Sequence, residues 1–217
     1  MNNFLNKKIV DCVMAGIEKA TGEYIKLTKG YEQLGNGPEY FLTVSIANEL
    51  KQLDDASIFL EENHGDLQAP PTGKKLENWK PNGRYDIVVR DSKALPYAVI
   101  EVKHRVHKVD ERVIKDFQRV ASAVEPEEDG EIICNMGIFA FYSEIYGEQT
   151  DLSEMKKEIN ERYNQLEIEL NKHKGNAKLE KNLIPPNPYT NKNGKVVEWG
   201  QNKAVVWGGG CFILSPE

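Results

Sequence analysis

Apolar positions along this chain follow two rhythms, and the change from one to the other marks out the elements. Phe4, Leu5, Ile9, Val13, Met14 and Ile17 recur at helical spacing, which predicts a first helix from about Asn3 to Ala20. "GNGP" breaks that pattern, and Pro38 suits the first position of a second helix carrying Phe41, Val44, Ala47 and Leu50 on one side. The turn-rich stretch "GDLQAPPTGKKLENWKPNG" reads as an irregular connection. Two short apolar runs, Ile87-Val88-Val89 and Ala98-Val99-Ile100, read as buried strands joined by "DSKALP". A third helix is expected at about Val109 to Val124, with Val113, Ile114, Phe117, Val120 and Ala121 on its apolar side. A β-branched and aromatic run predicts a central strand near Met136 to Tyr142.

A long helix from about Leu152 to His173 aligns Leu152, Met155, Ile159, Tyr163, Leu166 and Leu170. "LIPPNPYTNKNG" reads as a loop. "KVVEWGQNKAVVWGGGCFIL" reads as two or three short strands forming a C-terminal hairpin, with turns at Gly200–Asn202 and Gly208–Gly210. Helices, a strand pair, then alternating helix and strand predict an α/β chain: a mixed central β-sheet flanked by helices.

The 217 residues suffice for one domain with a full core, expected to span residues 1–217. No window reaches the roughly 18 uninterrupted apolar residues of a membrane span, and the charged amphipathic N-terminus does not read as a signal peptide. Cys12, Cys134 and Cys211 are odd in number and far apart, offering no disulfide framework and no zinc spacing. They suit a reducing, cytoplasmic compartment. The net charge of −6 disfavours a protein that coats nucleic acid generally, but leaves room for a local basic surface.

Charge changes the picture most where it interrupts the strands. Asp86 precedes the first buried run, and the second runs into Glu101-Val102-Lys103. Apolar side chains on both faces describe an interior hairpin, where unpaired charge is costly. With Arg90 opposite Tyr97, counting back places Asp86 opposite Glu101 and Arg84 opposite Lys103. Directly opposed residues have Cβ atoms about 4.5–5.5 Å apart, and Lys103 shares the face of Glu101. Two carboxylates so close repel unless a cation sits between them, and a hard divalent ion, Mg²⁺ or Mn²⁺, suits oxygen ligands. Such an ion activates water and neutralises phosphoryl charge, while Lys103 would orient the nucleophile and stabilise the transition state.

Asp86, then fourteen residues, then Glu101-Val102-Lys103, across a hairpin and followed by a helix, resembles the PD-(D/E)XK nuclease superfamily. The resemblance covers about Pro38 to Ser143, with Tyr85 in place of the family's nominal proline. It implies a restriction-endonuclease-like core in which Asp86, Glu101 and the Val102 carbonyl hold the metal and Lys103 is catalytic. Many members add a glutamate from the preceding helix; here Glu39 is the first candidate and Glu49 the second. A glutamate in a first turn also simply complements the helix dipole.

From Lys103 to Arg119 the chain holds six Lys/Arg and two His against three acids. That run is either a solvated helix face or a phosphate-contacting surface. Lys103, His104, Arg105, Lys115, Gln118 and Arg119 are its candidate nucleic-acid contacts. Lys74, Lys75, Lys80 and Trp79 form a second, weaker set, and Trp199 and Trp207 are expected to pack rather than to stack bases.

The function expected is a Mg²⁺-dependent nuclease, a DNA endonuclease first, with RNA or another phosphate ester as rival substrates. The resemblance also leaves room for a homodimer. The rival class is a nuclease-like module without turnover that binds nucleic acid or protein.

Overall fold

The computed structural model describes residues 3–63, 83–126, 132–190, 194–199 and 202–217. Its backbone is α/β, as the alternating patterns require: a six-stranded mixed open sheet with four helices. In chain order these are α1 (Asn3–Leu27), α2 (Glu39–Leu50), β1 (Ser57–Asn63), β2 (Arg84–Arg90), β3 (Pro96–Lys103), α3 (Glu111–Ser122), β4 (Met136–Glu148), α4 (Leu152–Asn171), β5 (Lys178–Pro188) and β6 (Lys203–Ser215). The spatial order is β1-β2-β3-β4-β6-β5, with β3 and β4 parallel and every other pair antiparallel.

Each face of the sheet has its own core. Ile87, Val89, Ile100, Val102 and Ile138 face α1 and α2, where Ile9, Val13, Ile17, Leu42 and Ile46 cover them. Val88, Val99, Phe139 and Phe141 face α3 and α4, packing against Val113, Phe117, Ile159, Tyr163 and Leu166. Alternation along β3 thus sends Val102 to the α1/α2 side. Glu101 and Lys103 go to the α3 side, following Val99. Helix α3 approaches closely because Gly137 of β4 lies beneath it; a Cβ there would come within 2.6 Å of Val120 Cγ1.

The hairpin register agrees with the sequence count from Ile87 to Val89, where Ile87 pairs with Ile100, Val88 with Val99 and Val89 with Ala98; the pairing ends at Ile87, short of the expected Asp86–Glu101 and Arg84–Lys103 pairs. It departs at the turn, where an irregularity between Val89 and Arg90 pairs Arg90 with Pro96 rather than Tyr97.

Several boundaries differ from the sequence reading. Helix α1 continues to Leu27 because Tyr24 is buried and packs edge-on to Phe41, with ring centroids 5.3 Å apart. Pro38 is the N-cap of α2 rather than its first residue. Strand β1 had no predicted counterpart. It is a largely exposed edge strand interrupted by Glu61 at φ 55°, so it lacks the apolar alternation of a buried strand.

Strand β4 runs six residues past Tyr142, to Glu148. Strand β5 occupies the start of the expected loop; its prolines are tolerated because it is the other edge of the sheet. Gly208-Gly209-Gly210 is not a turn but the middle of one continuous strand, β6. A Cβ at Gly209 would come within 2.6 Å of the Phe141 carbonyl, so the glycines permit close backbone approach. The connection before β2, with Lys74, Lys75, Trp79 and Lys80, falls almost wholly outside the described residues, as do Gly200 and Gln201.

Candidate functional site

The site forms where the β2–β3 ladder gives way. The last of the pairs in register is Ile87 with Ile100. One residue further, the Asp86 carboxylate takes over as acceptor: its Oδ2 receives the Val102 N–H at 2.7 Å. A residue's N–H and C=O leave a strand on the same side, so the Val102 carbonyl also points toward β2. Asp86 is half-buried, and Glu101 is only 1% exposed.

Both carboxyl groups have raised pKa values. For Glu101 burial is the main cause and the Asp86 charge the next, opposed by Arg119. For Asp86 burial again dominates, opposed by the Val102 N–H and Lys103, with Glu39 and Glu61 adding to the rise.

Helix α3 supplies what faces them. Asp110 caps its N-terminus, accepting from the Arg112 and Val113 amides at 2.9 and 3.0 Å. The Tyr85 hydroxyl donates to the Arg119 carbonyl at 3.1 Å and pins the helix to β2. From this helix Arg119 donates Nε to Glu101 Oε1 at 2.8 Å, and its Nη2 forms an ion pair with the same oxygen at 2.5 Å. Arg119 Nη2 also meets Asp116 Oδ1 at 2.8 Å, and Asp116 Oδ2 meets Lys103 Nζ at 2.9 Å. Lys103 lies 3.8 Å from Glu39 Oε1 at the first turn of α2. The result is a chain of alternating charge: Glu101, Arg119, Asp116, Lys103, Glu39. Burial acts against the Lys103 ammonium, but the Asp116 hydrogen bond and the charges of Glu39, Asp116 and Glu101 prevail and raise its pKa. Lys103 is therefore a cation at neutral pH.

Of the two helix glutamates, Glu39 reaches the site. Its Oε2 also accepts the His104 N–H at 3.1 Å. Glu49 instead binds Lys19 at 2.7 Å and Gln52 at 3.0 Å, against α1. His104 Nε2 lies 2.7 Å from the Leu34 carbonyl, which can only accept, so the ring carries its proton at Nε2. Burial lowers the His104 pKa and keeps it neutral, and its ring stacks on Tyr142 at 5.9 Å.

Arg105 is exposed with φ 58° at the site's rim. Arg119 faces Glu101 rather than solvent alone, so its main contact is within the site. Lys115 and Gln118 point elsewhere, Lys115 to Glu111 at 3.6 Å and Gln118 to His173 at 3.3 Å. Trp199 and Trp207 both pack on Tyr189, at 5.4 and 6.1 Å between ring centroids. Asp116 went unnoticed in the sequence. Its signal was the i, i+3 spacing to Arg119 beside the apolar positions Phe117 and Val120.

Among the described residues, no three His, Cys, Asp or Glu side chains form a group able to hold a metal ion. What the site does offer is two carboxylates, each with one oxygen tethered by the protein. No described residue donates to Asp86 Oδ1 or Glu101 Oε2. Such hard oxygens, with the Val102 carbonyl pointing toward β2, are donors of the kind Mg²⁺ and Mn²⁺ accept. No helix among the described residues is long and apolar enough to cross a membrane. No known family model, curated protein or solved structure matches this chain.

Proposed function

We propose that this chain is a Mg²⁺- or Mn²⁺-dependent nuclease with a restriction-endonuclease-like core, cutting phosphodiester bonds in DNA as an endonuclease. The observation that carries the reading is the meeting of Asp86, Glu101, Lys103 and Glu39 at one end of the β2–β3 hairpin, each charged group held by a protein partner. The cation would be held by Asp86 and Glu101 with the Val102 carbonyl, while Glu39, engaged by Lys103 and the His104 N–H, acts on the ammonium rather than as a ligand. When bound, it supplies Lewis acidity, neutralising phosphoryl charge and activating water.

The chain's own residues do the rest. Asp86 and Glu101 bring negative charge into a partly desolvated site, where an incoming cation relieves their repulsion. Lys103 presents an ammonium to the phosphoryl oxygens and stabilises the charge that builds up in the transition state. Arg105 and the basic turn leading to α3 attract the phosphate backbone.

A second reading has one observation in its favour: Arg119 already occupies Glu101 Oε1 with a hydrogen bond and an ion pair. On that reading the guanidinium replaces the metal, and the chain binds nucleic acid without cutting it. One assay separates the two. Supercoiled plasmid, linear duplex, single-stranded DNA and RNA are incubated with Mg²⁺, Mn²⁺ or EDTA. The nuclease reading expects metal-dependent cleavage that is lost in Asp86→Ala. Binding without cleavage across the whole panel would leave the module.

A further inference from the structure

We infer that Asp116 is the positioning residue of this site, a single carboxylate that holds Lys103 and Arg119 together so that Lys103 and Glu101 keep fixed places. The inference rests on the nuclease reading for its catalytic consequence, but its structural content stands separately.

Three observations converge on Asp116. Each of its oxygens has a different cation, Lys103 at 2.9 Å and Arg119 at 2.8 Å. It is the only carboxylate among the described residues that touches both. Its side chain is 17% exposed against 44% for Glu39, the other partner of Lys103. An ion pair held away from solvent is screened less than one at the surface, and 2.9 Å permits a charge-assisted hydrogen bond whereas 3.8 Å does not. Without Asp116, Lys103 keeps only the longer, wetter contact with Glu39. A four-carbon stem then has several rotamers open to it.

The placement also has a cause in the fold. Asp110 sets where α3 starts, Gly137 sets how near the helix lies to the sheet, and the Tyr85 hydroxyl fixes it lengthwise. Residues 116 and 119 then fall above residues 101 and 103. Both Asp116 oxygens are taken by Lys103 and Arg119, so it acts through these two cations rather than on the reacting atoms.

Asp116→Asn keeps the shape and removes the charge. The first measurement is the ¹⁵Nζ–H resonance of Lys103, assigned by its loss in Lys103→Arg. In the unmutated protein this ammonium should exchange with solvent slowly enough to be observed, and in Asp116→Asn its signal should broaden or vanish. A signal unchanged by the substitution overturns the inference, whether or not the protein cuts nucleic acid.

The second measurement is Mn²⁺ affinity without nucleic acid, by electron paramagnetic resonance. It should change by less than about threefold, since a positioning residue is not a ligand; a loss of about tenfold or more would make Asp116 a ligand and overturn the assignment. The third is turnover on the best substrate. We expect kcat to fall by about 10- to 100-fold, the scale of an ångström-sized misplacement, with KM within about twofold. Turnover at the unmutated rate overturns the positioning role. If the unmutated protein cuts nothing, the nuclease reading fails, and the ammonium signal alone decides whether Asp116 holds Lys103.

Discussion

Two buried glutamates on neighbouring parallel strands are treated in opposite ways. Glu101 of β3 faces α3, and a guanidinium takes one of its oxygens. Glu144 of β4 lies on the other side of the sheet, among neutral donors: its Oε2 accepts the Tyr142 hydroxyl at 2.6 Å and the Gly35 amide at 3.1 Å. The Tyr142 hydroxyl in turn meets that of Tyr189, which accepts the Leu34 amide at 3.3 Å. Burial is the first cause of a raised pKa at both glutamates. Their partners differ in kind. Neutral hydrogen bonds satisfy a carboxyl group and fix a loop. Ionic partners oppose the desolvation that drives a buried carboxyl toward its neutral form, an arrangement expected where charge does work. The Glu144 network holds Leu34 and Gly35, and the Leu34 carbonyl holds His104 beside Glu39. One glutamate thus belongs to the site, and the other braces the loop behind it.

The comparison can be broken at either end. The largest effect belongs to the ionic end. Asp86→Ala and Lys103→Ala should each lower metal-dependent cleavage by about 10²- to 10³-fold, the scale of losing one preorganised electrostatic contact. Circular dichroism should show both variants still folded. Cleavage that survives either substitution would remove the site from the chemistry.

Next comes the neutral end. A Cβ on Gly35 would overlap the Glu144 carboxylate. Gly35→Ala should therefore cost about 1–3 kcal/mol of stability in urea unfolding, the usual penalty for overpacking. An unchanged midpoint would mean that the loop is not clamped by Glu144.

Glu144→Gln sharpens the contrast through pH. The folded pKa of Glu144 lies above its ordinary 4.5. Its protonated form therefore contributes stability that is fully present below about pH 4.5 and is lost as pH rises through the raised value. The glutamine cannot titrate and can still accept from Tyr142 and Gly35. Relative to the unmutated protein, the variant should thus gain stability with rising pH across that window. A constant difference between the two stability–pH curves would contradict the assignment.

The smallest effects are expected where α3 faces away from the site. Lys115→Ala and Gln118→Ala should each alter stability by about 0.5 kcal/mol or less, as exposed substitutions do. Both should leave kcat unchanged, so a marked loss of turnover in either would extend the site around the helix.

Much of this architecture was legible in the sequence, for local reasons. The apolar runs of β2 and β3 are bounded by charges, and a period of two sets which residues share a face. Counting across the hairpin therefore predicted the pairs Ile87–Ile100, Val88–Val99 and Val89–Ala98, and these form; the ladder ends before Asp86, whose carboxylate instead accepts the Val102 N–H. The count failed at Arg90, where a bulge inserts a residue that no alternation announces. Glycine misled for a related reason. In Gly208–Gly210 the residue type that marks a turn instead marks a strand squeezed between two others.

Periodicity and register are properties of neighbours along the chain, so the sequence alone determined the two-sided strands and the main helices. Which partner each buried charge would find was decided only by the tertiary structure. That Arg119, a candidate phosphate contact, would pair with Glu101, 18 residues away, was decided by packing. The tie from Glu144 to Gly35 spans 109 residues. Such contacts depend on how closely a helix or loop can lie on the sheet, and that distance is set by side chains and glycines from remote parts of the chain.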